Sequence, residues 1–224
     1  MNTLAIEGIV FDLDGTLVNS EHIYKESWLA VLPGWGVSID PDDYATLFAG
    51  RPGMDTAQHH FGLSHGDATS LLDDVLAHFW TVAPGRFHVI PGLSRLLKQL
   101  ADYPLAIATS GRRVDVEKIL AEMGLRDRFH FIVTVDDVEH GKPHPEPFLR
   151  AAAGLGIAPE RTLAFEDAPN GLRSARAAGM FCVGVGANRD SLAHHADLVI
   201  SDFNDPELAG LLSRLNRRAP LSEP

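Results

Sequence analysis

Two aspartates separated by one residue, Asp12 and Asp14, follow a short apolar run near the start of the chain. Groups able to do polar chemistry recur at comparable places further on. Thr109-Ser110-Gly111 brings two hydroxyls and backbone amides, Lys142 an ammonium, and Glu166-Asp167 two more carboxylates. Each set follows an apolar segment rich in branched residues, where open α/β sheets present the groups that bind ligands. Gathered in one crevice, these carboxylates would repel one another unless a cation lay among them. Hard oxygen donors that leave room for water describe Mg2+. The expected ligands are Asp12 through a carboxylate oxygen, Asp14 through its backbone carbonyl and Asp167 through its side chain, with Glu166 in support. A phosphate would complete the shell.

The elements that must hold these groups are legible as short apolar runs. Gly8 to Phe11, Leu105 to Ala108, Phe131 to Val135, Leu163 to Phe165, Phe181 to Val185 and Leu198 to Ile200 read as buried parallel strands. Helical periodicity falls between the later ones, at Leu93 to Leu100, Val114 to Met123, Pro147 to Leu155 and Leu172 to Ala178, with glycines closing several at Gly124, Gly156 and Gly179. This alternation predicts a doubly wound, parallel (Rossmann-like) α/β core. Over residues 17–86 strand spacing gives way to helical spacing, as in Trp28, Leu29 and Leu32 or Leu71, Leu72, Val75, Leu76 and Phe79. An α-helical cap inserted between residues 1–16 and 87–216 of the core is the expected organisation, leaving near Gly15 and returning near Pro91. Residues 217–224, polar and proline-containing, are expected to be a flexible tail.

At 224 residues with 45% hydrophobic content, a sizeable core can be buried. The formal charge of -11 comes without a basic cluster, which argues against nucleic acid or an anionic membrane as the main partner. A small anionic substrate would then rely on a bound cation for local positive charge. Cys182 is the one cysteine, which excludes an internal disulfide and any site built on several thiolates. Neither a signal peptide nor a membrane span is visible, so a cytoplasmic protein is expected, monomeric or with weak self-association.

Taken together and in order, Asp12-Leu13-Asp14-Gly15-Thr16-Leu17, Thr109-Ser110-Gly111, Lys142-Pro143 and Glu166-Asp167 resemble the four motifs of the haloacid dehalogenase (HAD) superfamily of phosphotransferases. The matching subgroup carries its helical cap between the first and second motifs, and the resemblance spans essentially the whole chain. It implies that Asp12 attacks phosphorus to form an aspartyl-phosphate, and that Asp14 protonates the leaving oxygen and then activates water. It further implies that Thr109 and the Ser110 amide hold the transferring oxygens while Lys142 offsets negative charge. Gly141-Lys142-Pro143-His144-Pro145-Glu146-Pro147 and Phe165-Glu166-Asp167-Ala168-Pro169-Asn170-Gly171 are most similar to sugar and polyol phosphatases of the family. The expected substrate is therefore a small sugar or polyol phosphate monoester.

Other residues carry weaker signals. Arg51, in a turn-rich segment of the insert, and Arg112, after the Thr109-Ser110-Gly111 turn, are candidate substrate contacts. An exposed arginine and a helix start are their plain alternatives. Trp28, Trp35 and Trp80 suit the core of the insert better than a sugar-stacking platform. His144 reads as a loop-packing residue. The adjacent pairs His59-His60 and His194-His195 point apart on any regular element, so zinc is not expected there. A β-phosphoglucomutase-like enzyme is the nearest competitor, but such mutases carry a cap histidine where Tyr24 stands, four residues before Trp28. A phospho-aspartate receiver or a catalytically silent binding module is the alternative of another class.

Overall fold

The computed structural model describes residues 4–48 and 53–215. Residues 217–224, expected to be a tail, lie outside that range. In chain order the strands are β1 (Gly8–Phe11), β2 (Val18–Asn19), β3 (His88–Val89), β4 (Leu105–Ala108), β5 (Phe131–Val133), β6 (Thr162–Glu166), β7 (Phe181–Val185) and β8 (Leu198–Ile200). Six of them form one sheet in the order β5-β4-β1-β6-β7-β8, and every neighbouring pair is parallel. β1 is fully buried at the centre. The chain builds one side of β1 with β4 and β5, then returns to its other side with β6, so the order reverses beside β1. That reversal opens a crevice at the carboxyl ends of the strands.

The register explains how both faces are covered. Ala106, Val10, Ala164 and Cys182 lie in one row across β4, β1, β6 and β7. Their small side chains let helices come close, and Ala151, Ala152, Leu172 and Ala175 fill that face. These come from α7 (Glu146–Gly154) and α8 (Pro169–Ala177), which follow α5 (Leu93–Gln99) and α6 (Arg113–Glu122) in the core. On the opposite face Phe11 and Phe165 stack with ring centroids 4.9 Å apart, and Phe203 meets Phe165 edge-on at 5.5 Å. Each such buried ring contributes about 1.5–3 kcal/mol, the apolar reserve against which charges can be buried nearby. Cys182 is fully buried, and burial, reinforced by Asp197, pushes its thiol up to about 12. It is a packing residue.

Two strands differ from their expected limits. β5 stops at Val133 because Thr134 begins a capping box with Asp137 and turns the chain into a short 3-10 segment. β6 runs from Thr162 to Glu166, so Glu166 belongs to the sheet and pairs with Gly184 of β7. The core ends with α9 (Arg189–Ala193) and α10 (Pro206–Leu212), the latter started by the Asp205 side chain accepting from the Glu207 amide, with Pro at its first turn.

The chain divides into two compact units, Met1–Asn19 with Val89–Pro224, and Ser20–His88. The second is helical: α1 (Glu21–Val31), α2 (Tyr44–Phe48), α3 (Gly53–Asp55) running into a π turn at Thr56–His60, and the long α4 (His65–Val82). Ser64 caps α4 by accepting from the Asp67 amide at 3.1 Å. Trp28, Tyr44, Phe48, Ala57, Leu71 and Val75 belong to this unit's own core, and the Trp28 and Phe48 rings lie 4.6 Å apart. Trp28 is thus a core residue. Trp35 is half-buried and donates its indole N–H to Asp74 at 3.0 Å. Among the described residues no helix is long and apolar enough to cross a membrane.

Candidate active site

Asp12 is the first residue past β1, its amide donating to the Phe165 carbonyl at 2.9 Å and so continuing the sheet ladder. That bond fixes the backbone while the carboxylate emerges at the strand end, with 8% of the side chain exposed. Lys142 approaches it from the loop between β5 and α7. Its ammonium lies 2.5 Å from Asp12 Oδ1 and 3.6 Å from Glu166 Oε2, with 7% of the side chain exposed. The Phe148 ring, 5.1 Å from Nζ, supports the ammonium from α7. The loop itself is held by the His144 amide donating to the Gly141 carbonyl and by the Ser174 hydroxyl donating to the His144 carbonyl.

Asp12, Glu166 and Asp167 bring carboxylate oxygens within 4.8 Å of one another. Two glycines make this possible. Gly15 has φ +85°, and a Cβ there would overlap the Asp167 carboxylate; a Cβ on Gly171 would overlap that of Glu166. Thr16 donates its hydroxyl to Asp167 Oδ1 at 2.9 Å. Glu166 Oε1 accepts from the amides of Asp167 and Ala168 at 3.2 and 3.3 Å. Among the described residues its buried Oε2 has no hydrogen bond, and the Lys142 ammonium at 3.6 Å is an ion-pair partner only.

Electrostatics follow from that crowding. Burial pushes the Asp12 carboxyl up, with Lys142 pulling against it. Burial raises Glu166 to about 7, and burial followed by the charges of Glu166 and Asp12 raises Asp167 well above the usual carboxylate range. Burial works against the charge on Lys142, but the carboxylates of Asp12 and Glu166 outweigh it and hold the ammonium above the ordinary lysine value. One lysine cannot neutralise three crowded carboxylates, two of them buried and one half-buried. An unsatisfied Oε2, which costs about 1–3 kcal/mol, together with an all-oxygen donor set, fits a divalent cation. Such an ion would bind the deprotonated cluster and release protons as it entered.

The remaining expected residues fall as follows. Thr109 is buried one residue past β4, and its Oγ1 accepts from the Gly111 amide at 3.1 Å. Ser110 is exposed. Asp14 directs its carboxylate toward this turn, since Oδ2 lies 3.9 Å from where a Cβ on Gly111 would stand. Arg112 precedes α6 and donates Nε to Asp115 at 2.8 Å, which ties its guanidinium to the helix start. Arg51 lies outside the described residues. Thr16 and Gly171 shape the site although no site role was expected of either. Thr16 stands within the Asp-x-Asp-Gly-Thr run, whereas Gly171 acts only through the volume it leaves empty and has no signal of its own.

A parallel sheet with clustered carboxylates and a lysine at its carboxyl edge places a polar site where α/β enzymes bind their ligands. The profile of the haloacid dehalogenase-like hydrolases matches residues 6–179, and the chain belongs to that family. It is 35% identical to validoxylamine A 7'-phosphate phosphatase of Streptomyces hygroscopicus subsp. limoneus, over 88% of this chain and 93% of that protein. It is 31% identical to the fructose-1-phosphate phosphatase YqaB of Escherichia coli (strain K12), over 80% of this chain and 95% of the relative. The β-phosphoglucomutase of Clostridium difficile shares the fold, with a TM-score of 0.77 at 22% identity, over 93% of this chain and 96% of that structure.

Proposed function

We propose that this enzyme, a phosphatase of its family, hydrolyses small sugar or polyol phosphate monoesters with Mg2+ through an aspartyl-phosphate on Asp12. The observation that carries the reading is the contact of Asp12 with Lys142 beside the Glu166–Asp167 carboxylates. Asp12 and Asp167 would hold Mg2+, with the Asp14 carbonyl and Glu166 in support, and the ion would stabilise charge on the transferring group. Lys142 keeps Asp12 available as a carboxylate. One Asp12 oxygen forms a bond to phosphorus as the bond to the alcohol oxygen breaks, and Asp14 gives that oxygen its proton. Asp14 then accepts a proton from water, whose oxygen bonds to phosphorus and releases phosphate, restoring the Asp12 carboxylate. Thr109, the Ser110 amide and the Gly111 turn steady the phosphoryl oxygens, and Arg51 and Arg112 are assigned to substrate.

The names of the two phosphatase relatives agree with a phosphate monoester, and one of them with a sugar phosphate. The 1–16/87–216 core and 17–86 helical cap form part of the same proposal. A buried, unpaired cysteine suits the reducing cytoplasm.

Phosphate release should be measured on sugar, polyol, glycolate and nucleotide monophosphates, with Mg2+ or with chelator. Sugar or polyol phosphates should be preferred by at least about tenfold, and chelation should lower the rate by at least about a hundredfold, a few kcal/mol of transition-state stabilisation. Interconversion of glucose 1-phosphate and glucose 6-phosphate outrunning phosphate release would make the enzyme a mutase. Full activity in chelator would remove the metal from the scheme.

A further inference from the structure

We propose that His140, His144 and Glu146 form a second cation site, suited to a transition metal such as Zn2+, on the loop that carries Lys142. Nothing in the proposed phosphatase chemistry uses these three residues, and the inference does not depend on it. Each offers a donor atom, and the three donors lie within 4.8 Å of one another. His140 Nδ1 stands 3.4 Å from Glu146 Oε2, and the two imidazole rings lie 4.7 Å apart, inclined at 34°.

The carboxylate is the fixed point of the cluster. Glu146 Oε1 accepts from the Glu139 amide at 3.2 Å and from Arg150 Nε at 2.8 Å, and Oε2 accepts from the His140 amide at 3.0 Å. The Glu139 amide first, then the His140 amide and Arg150, hold this carboxyl at about 2, so it is ionised and anchored. Its own amide donates to His144 Nδ1 at 3.3 Å, which holds that ring beside Glu146. Both histidines are exposed, so their rings can rotate and an ion can enter from water.

A tetrahedral ion with ligand bonds of about 2.1 Å needs donors about 3.4 Å apart. The His140–Glu146 separation already meets that spacing, and rotation of the exposed His144 ring would supply the third donor. The fourth position faces solvent and would take water. Two imidazoles and a carboxylate select zinc, copper or nickel, whereas the all-oxygen cluster of Asp12, Glu166 and Asp167 suits magnesium. The chain would thus sort two metals by donor chemistry alone. Residues 140 and 144 stand two positions either side of Lys142, so an ion joining them would stiffen the segment that presents the ammonium to Asp12.

The test is Zn2+ binding by equilibrium dialysis on the untagged full chain in excess Mg2+, with Co2+ absorption as an independent report of imidazole ligation. One Zn2+ per chain is expected, undiminished in Asp12→Asn and in the His194→Ala/His195→Ala control. Affinity should fall at least about tenfold in His140→Gln or His144→Gln, because even loss of a group behind a ligand costs 10–100-fold, and further in the double variant. Co2+ should give the visible bands of a low-symmetry, nitrogen-ligated site. Unchanged Zn2+ affinity in the double variant, loss of binding in Asp12→Asn, or no bound Zn2+ in the unaltered chain would each overturn the proposal.

Discussion

Asp12→Asn is expected to lower kcat by at least about 10^4-fold while the protein stays folded. The amide is nearly the same size and still accepts a hydrogen bond from Lys142, which lies 2.5 Å from Asp12 Oδ1. It has no oxygen able to bond to phosphorus and leave again, so a chemical step worth more than about 5 kcal/mol is lost. Folding should not suffer in step. The carboxylate is buried beside Glu166 and Asp167, whose pKa values its charge helps to raise, so its removal relieves repulsion as it removes a partner from Lys142. Steady-state kinetics together with a thermal melt check both halves. Activity above a few per cent of the unaltered enzyme, in a folded variant, would exclude Asp12 as the nucleophile.

Lys142→Met should have the next largest effect, on rate and on stability together. Methionine keeps the length and fills the space over Phe148, but it removes the ammonium that meets Asp12 and Glu166. Breaking a buried pair leaves a charge without compensation and costs about 3–5 kcal/mol when no other cation is present. A loss of 10^2- to 10^4-fold in kcat/KM is expected, since the same charge would be missing in the transition state. The pH dependence has a definite sign. Glu166 is raised from 4.5 to about 7, so the folded state binds more protons than the unfolded chain across that interval. Its contribution to stability is full below 4.5 and is lost as pH rises through about 7. Without metal, Lys142→Met should steepen that fall, and Mg2+ should largely remove it. Urea unfolding of the metal-free protein between pH 5 and pH 8, roughly the interval spanned by those values, reads the effect; a pH-independent stability would contradict it.

Much of the sheet was legible because its strands are short, branched and buried on both sides, which leaves a continuous apolar signal with polar residues directly behind it. Gly8–Phe11, Leu105–Ala108, Phe181–Val185 and Leu198–Ile200 fall where their apolar runs begin and end. Strand limits failed where side chains override composition. Val135 is apolar but follows a Thr134–Asp137 cap, and Glu166 is charged but continues β6 because Gly171 leaves its carboxylate room. Asp12 and Lys142, 130 residues apart, could be placed at one edge from strand order alone, whereas their contact depends on a loop path that no periodicity encodes. For the same reason the Arg112–Asp115 pair and the gathering of His140, His144 and Glu146 emerge only in three dimensions. Each rests on side-chain directions over a few residues, and those are set by turns and caps rather than by hydrophobic pattern.

A covalent phosphoenzyme on Asp12 is the centre of the proposed chemistry, and trapping it is the most direct test. Enzyme turning over its preferred sugar phosphate with Mg2+ is quenched in acid, reduced with borohydride, digested and mapped by mass spectrometry. An acyl phosphate on Asp12 would be reduced to the alcohol, so the peptide containing Gly8–Phe11 and Asp12 should carry homoserine at position 12, in a substrate-dependent manner. Reduction at Asp14 instead, or no reduced residue in an enzyme caught in steady turnover, would contradict it.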